Sequence, residues 1–160
     1  MAALDDRLSG LVEREAIRAL IGSTAAFLDR DDLARWIGLF APQAEYEITA
    51  YSRELRAMMS WWKTARPELD RMLEDVGQHV RDTGRRLHIV TPASIEVSGD
   101  RATAVSQFAV LRTGDDGESR LYAAGRYEDE LIRDSGSWRY SRHRAVLDTT
   151  MLEPLTHLPL

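Results

Sequence analysis

From Arg85 to Leu147 the chain reads as four long strands cut by three turn signals, Ser98-Gly99-Asp100, Gly114-Asp115-Asp116-Gly117 and Asp134-Ser135-Gly136. Each signal supplies glycine where a tight hairpin needs positive φ, so consecutive strands are expected to run antiparallel as a meander. Ahead of Arg85 the pattern is mainly helical. Helices first and strands afterwards predict an α+β fold, with the helices gathered on one side of the sheet.

Apolar residues at Leu8, Leu11, Val12, Ile17, Leu20, Ile21 and Leu28 form the stripe of an amphipathic helix from about Leu8 to Leu28, packed on an apolar surface. Asp31 is placed to cap a second helix, in which Leu33, Trp36, Ile37 and Phe40 recur at three- and four-residue steps. Pro42 marks its exit. From Ala44 to Tyr51, Tyr46, Ile48 and Ala50 alternate with Glu45, Glu47 and Thr49, the pattern of a half-buried strand. Leu55, Met58, Met59 and Trp62 continue a helical stripe, on which neighbours Trp61 and Trp62 cannot face one core. One of the two is expected at a subunit contact. After Pro67, Leu69, Met72, Leu73, Val76 and Val80 outline a further helix closed by Gly84.

Strict alternation on the third strand of the meander puts Leu121, Ala123, Gly125, Tyr127 and Leu131 on one face, and Arg126, Glu128 and Glu130 on the other. Gly125 in mid-strand suggests a bend or bulge. The last strand divides into Trp138, Tyr140, Arg142, Arg144 and Val146 against Ser141, His143, Ala145 and Leu147. Its basic residues face the acidic run Glu128-Asp129-Glu130, which argues for cross-strand pairing.

Composition narrows the function. With 160 residues the chain is expected to form one domain, 1–160, long enough to bury roughly 70% of its unfolded surface. No apolar run approaches the ~20 residues of a membrane span. The start Met1-Ala2-Ala3-Leu4-Asp5-Asp6 lacks the basic and apolar parts of a secretory signal, so a cytoplasmic location is expected. A net charge of −5 argues against a nucleic-acid partner. The absence of cysteine removes disulfides, thiol nucleophiles and cysteine-ligated metal centres together.

Imidazole chemistry is limited to His79, His88, His143 and His157, none of which lies in a close-spaced metal motif, and no metal or cofactor site is assigned on this chain. His79, four residues after Asp75, suits a solvated ion pair. His157, in a proline-flanked tail, suits a contact residue.

The run from Leu28 to Tyr46, with its acidic turn and Trp36-Ile37-Gly38-Leu39-Phe40, is one part of a wider pattern. The long mid-chain helix, Arg85-Arg86-Leu87-His88, Gly125-Arg126-Tyr127-Glu128-Asp129, Trp138-Arg139-Tyr140 and the ending Leu158-Pro159-Leu160 complete it. In this combination the chain resembles the small (beta) subunits of aromatic-ring-hydroxylating dioxygenases. The resemblance implies the cone-shaped, nuclear transport factor 2-like (cystatin-like) fold shared with ketosteroid isomerase and scytalone dehydratase. It further implies a non-catalytic subunit without catalytic residues. The Rieske [2Fe-2S] cluster and mononuclear Fe(II) would lie on a large (alpha) partner subunit, usually in an α3β3 hexamer. Electrons would come from NAD(P)H through a reductase, sometimes with a ferredoxin. A Rieske cluster needs two cysteines, so this chain cannot build one.

The same resemblance carries an enzymatic alternative. In SnoaL-like and scytalone-dehydratase-like dehydratases, isomerases and cyclases, a histidine at the position of His88 works with an acidic residue matched here by Asp31 or Asp29. A His–Asp pair in an apolar cavity can move a proton near neutral pH. Read without the resemblance, Asp31 is a helix cap and His88 a satisfied polar residue at a strand end. Which aromatic compound is the substrate is not written in this chain.

Overall fold

The computed structural model describes residues 2–75, 82–153 and 159–160. Three helices precede and interrupt six strands: α1 (Ala2–Asp29), α2 (Leu33–Ile37), β1 (Phe40–Ser52), β2 (Ala57–Ala65), α3 (Arg66–Asp75), β3 (Arg85–Ser98), β4 (Arg101–Thr113), β5 (Ser119–Asp134) and β6 (Ser137–Leu147). They make one sheet in the order β2-β1-β6-β5-β4-β3. The β3-to-β6 meander forms as its turn signals imply, with Gly99, Gly117 and Gly136 at φ of 60°, 78° and 83°. Among the described residues one pairing is parallel, that of β1 with β6.

The C-terminal part of α1 lies against β3, and α3 packs on β1. Ile17, Leu20, Ile21 and Leu28 of α1 are buried, together with Trp36 and Ile37 of α2. Among the described residues of α1 the first buried one is Ile17, although Glu13 before it meets the sheet by accepting from Trp138 Nε1 at 2.7 Å and from Arg133. Leu8, Leu11 and Val12, expected on the covered stripe, are exposed.

Of the helical stripe expected through Leu55, Met58, Met59 and Trp62, the last three lie instead in the edge strand β2, paired antiparallel with β1, and Leu55 lies in the turn before it. Trp61 interrupts that ladder, since Ile48 pairs with Trp62 and Thr49 with Ser60. Trp61 is half exposed, whereas Trp62 packs edge-on against Tyr46 at 5.3 Å between ring centroids. The two tryptophans do diverge, but through a bulge and not through a helical turn. Phe40 and Pro42 belong to β1, and α2 stops at Ile37. Both faces of β1 are covered where it passes between β2 and β6, so Glu47 and Thr49 are buried along with Tyr46 and Ile48. Pro67 sits in the first turn of α3 as expected. The expected continuation of that helix to Val80 lies outside the described residues.

Two further bulges reassign faces. Leu111 pairs with Leu121 and Val110 with Ala123, leaving Tyr122 as the extra residue of β5. Leu121, expected inward, consequently points outward and is 63% exposed. On β6, Glu130 pairs with Arg142 and Leu131 with Tyr140, leaving Ser141 extra. Trp138 and Tyr140 therefore share the inner face with His143, Ala145 and Leu147, which alternation alone puts on the opposite side. Gly125 is not a bulge. It permits close approach, since a Cβ there would overlap the Val146 carbonyl of β6.

Candidate functional site

Asp29 closes α1, and His88 is the buried inner-facing residue of β3 beside it. The Asp29 carboxylate accepts twice through Oδ1, from the His88 backbone N–H at 2.9 Å and from ring Nδ1 at 2.6 Å. The His88 side chain is fully buried and that of Asp29 is 19% exposed. A carboxylate on Nδ1 fixes the ring and leaves Nε2 as its free atom. Nε2 has no protein partner among the described residues.

Asp31 does not join this pair. Its backbone is left-handed, with φ of 53°, which turns the chain from α1 into α2. The cap of α2 is Asp32, whose Oδ1 accepts from the Arg35 N–H at 3.2 Å. Of the three aspartates in this turn, Asp29 meets His88, the left-handed Asp31 makes the bend, and Asp32 after it meets the free N–H groups of α2. Asp31 instead lies 3.9 Å from Arg86 Nη2.

A second imidazole–carboxylate pair sits in the sheet itself. His143 and Asp129 face each other across β6 and β5, with Nδ1 to Oδ1 at 2.6 Å and both side chains almost wholly buried. Tyr127 and Tyr140 each lie 4.8 Å from the His143 ring, Tyr46 at 5.8 Å and Phe40 at 5.9 Å. Burial pushes the Asp129 carboxyl up from its ordinary value, against the opposing pull of His143. Burial likewise raises the phenols of Tyr46, Tyr127 and Tyr140. Tyr140 exchanges a 2.8 Å hydrogen bond with Thr24 of α1. The sequence signal for an Asp129–His143 pairing was the acidic-against-basic match of β5 and β6. Its place inside the fold depended on the Ser141 bulge.

His79 and His157 lie outside the described residues. Leu160 is fully buried in the core cluster, and its N–H donates to the Tyr46 hydroxyl at 2.9 Å. Among the described residues no group of three or more His, Cys, Asp or Glu side chains is placed to hold a metal ion. None of the helices is long and apolar enough to cross a membrane among the described residues.

The outer sheet face divides into two zones. Over β2, β1, β6 and β5 it is a ladder of opposite charges. Glu45 takes Lys63 at 3.1 Å and Arg142 at 3.4 Å, Glu47 takes Arg142 at 2.9 Å, and Glu128 takes Arg126 at 2.8 Å and also Arg144. Over β3, β4 and β5 it carries two adjacent apolar rows. Leu87, Leu111 and Leu121 form one cross-strand row and Ile89, Ala109 and Ala124 the next. Leu87 and Ile89 are 53% and 50% exposed.

A model of the SnoaL-like domain matches residues 10–144. The chain belongs to the SnoaL-like domain family. Within that family's reach, the beta subunit of 2-aminobenzenesulfonate 2,3-dioxygenase from Alcaligenes sp is 28% identical over 149 residues, covering 91% of this chain and 97% of its own. The terminal oxygenase subunit beta 1 of terephthalate 1,2-dioxygenase from Comamonas sp is 28% identical over 155 residues, 94% of this chain and all of its own. Among solved structures, a beta subunit provisionally assigned to an aromatic-ring-hydroxylating dioxygenase of Novosphingobium aromaticivorans superposes with a TM-score of 0.80 at 24% identity, over 89% of this chain and 94% of that one. A cystatin-like, NTF2-like protein of the same organism superposes at 0.70 with 23% identity, over 94% and 92% of the two chains. The α+β, nuclear transport factor 2-like fold expected from the sequence is thus the fold observed.

Proposed function

We propose that this chain is the non-catalytic small subunit of the terminal oxygenase of an aromatic-ring-hydroxylating dioxygenase, folded as a single domain over residues 1–160. The observation that carries this reading is similarity to named beta subunits along nearly the full length of both partners. The apolar rows on the outer face give it physical support. Exposed leucine and isoleucine side chains standing side by side are a surface suited to burial against another chain.

In this reading the chain helps assemble the large subunit, which carries the Rieske cluster and the mononuclear iron, in an α3β3 hexamer in the cytoplasm. Reducing equivalents pass from NAD(P)H through a reductase, with or without a ferredoxin, to the large subunit. The Rieske cluster does not fit here, since a chain without cysteine cannot supply its thiolates. Substrate choice belongs to the large subunit's pocket.

The His88–Asp29 pair, with its buried free Nε2, favours one second reading, a stand-alone dehydratase, isomerase or cyclase working by proton transfer. Affinity capture of this chain from its native cells at mild salt, with identification of bound chains and iron analysis, separates the two. Recovery of a larger, iron-bearing chain is the expected result. Recovery of the folded chain alone, with turnover abolished by His88→Ala, would replace the subunit reading with the enzymatic one.

A further inference from the structure

The apolar residues of α1 fall into two stripes on opposite sides of the helix. Ile17, Leu20, Ile21 and Leu28 are buried toward the sheet, whereas Leu4, Leu8, Leu11 and Val12 are each more than half exposed. At about 100° per residue the centres of the two stripes lie roughly 180° apart. Glu13 fixes the direction at the level of the exposed stripe. Its carboxylate accepts from Trp138 Nε1 at 2.7 Å and from Arg133, so it marks the sheet side of that turn. Leu4, Leu8 and Leu11 stand roughly 140–200° around the helix from it and point out of the molecule. The stripe ends at Glu15, which pairs with Arg18 at 3.6 Å. Arg7 and Arg14 line one edge and form no ion pair among the described residues.

A row of exposed leucines with an arginine edge fits a groove that is apolar along its floor and carries carboxylates along one rim. A second copy of the chain fits poorly. The stripe offers roughly 400 Å² of surface, so two stripes face to face bury roughly 800 Å², short of the ~1,000 Å² of a specific interface. Antiparallel pairing of two copies also sets the arginine edge of each against its own image, a like-charge contact. A groove covers the flanks of the helix as well, including the apolar stems of the arginines, and so buries more than a second ridge can.

We propose that the Leu4, Leu8, Leu11 and Val12 stripe of α1 inserts into an apolar, acid-rimmed groove of the large subunit. This inference rests on the subunit reading above and names the surface that meets the partner. The stripe lies on the helix side of the sheet, so it is separate from the apolar rows of the outer face.

The test repeats the capture from native cells at mild salt with the natural chain and with Leu8→Gln plus Leu11→Gln, which keeps both the charge and the helix propensity. Recovery of the larger, iron-bearing chain is expected to fall about tenfold or more at equal expression. The purified variant keeps the natural urea midpoint, because neither side chain packs on its own fold. Arg7→Gln with Arg14→Gln should lower recovery and flatten its dependence on salt. Undiminished recovery with Leu8→Gln plus Leu11→Gln would overturn the docking surface and leave the subunit reading standing. A lowered urea midpoint would overturn it by showing that the stripe packs within the chain, and a changed oligomeric state of the isolated chain by showing that a second copy is the occupant. If the natural chain recovers no larger chain, the subunit reading falls and the docking surface with it.

Discussion

Replacing Gly125 with alanine tests the closest packing in the sheet. The added Cβ would overlap the Val146 carbonyl oxygen and lie 3.0 Å from Leu147 Cα and 3.1 Å from Val146 C. All three are backbone atoms of β6, so no rotamer change relieves the clash. An ordinary carbon–oxygen approach is about 3.3 Å, and reaching it moves β5 and β6 apart by roughly 1 Å. That movement strains the ladder at Gly125 and the bonds just beyond it, where the Asp148 N–H donates to the Ala124 carbonyl at 2.9 Å and the Ala124 N–H to Thr149 Oγ1 at 2.8 Å. Overpacking of this kind costs about 1–3 kcal/mol, and each weakened hydrogen bond about 1 more. Alanine's lower unfolded-state entropy returns about 0.5–1 kcal/mol. The net expectation is a loss of about 3 kcal/mol, read as a lower urea midpoint by tryptophan fluorescence and a melting temperature about 6–12 °C lower. Gly22→Ala is the matched control, since nothing lies within 4 Å of a Cβ placed at this exposed position of α1. It should stabilise by about 0.5–1 kcal/mol. A loss under about 1 kcal/mol for Gly125→Ala would refute the argument from close approach.

Trp36→Ala, at a fully buried ring that contacts Phe40 and Tyr46, is expected to cost about 3–5 kcal/mol in the same titration, and a value below 1 would mean the aromatic cluster does not hold α2. His143→Phe strands the buried Asp129 and should cost about 3–5 kcal/mol, while His143→Phe with Asp129→Leu should recover most of it. If the double variant is no more stable than the single one, the pair is not the unit that the geometry describes. Hydrogen bonds from Arg112 hold the Asp82 carboxyl below its ordinary value. A depressed folded pKa gives stability that is complete above the unfolded value, about 3.9, and is lost as pH falls through the folded one. Asp82→Asn should therefore flatten the acid limb of a urea-midpoint-against-pH curve, and an unchanged limb would show that this pair contributes nothing there.

Much of the fold was legible because the relevant signals are local. Gly99, Gly117 and Gly136 mark the hairpins, and the apolar spacing from Ile17 to Leu28 marks the buried part of α1. β2 was not legible. Its side chains are exposed on nearly every position, so no period-two burial exists for the sequence to display, and Leu55, Met58, Met59 and Trp62 fit a helix by coincidence of spacing. His143 was misplaced for a different reason. A single extra residue at Ser141 inverts every later side chain of β6, and composition carries no mark of that insertion. At the candidate site, His88 and an acidic partner could be named in advance. Choosing Asp29 over Asp31 required the left-handed backbone at Asp31, which the run Asp29-Arg30-Asp31-Asp32 does not reveal.

The side-by-side placement of β1 and β6 bears on how the chain is made. A ribosome releases β1 early, yet the strand that completes its hydrogen bonds leaves last. Throughout synthesis of β3, β4 and β5, Phe40, Tyr46 and Ile48 lack the floor against which they finally rest. Long-range pairing of this sort slows folding and prolongs the interval in which bare strands can stick to other chains. Chaperone demand should therefore peak just before the final strand emerges, and substitutions in β6 should lower the yield of correctly made protein more than equal losses of stability placed in β3 or β4.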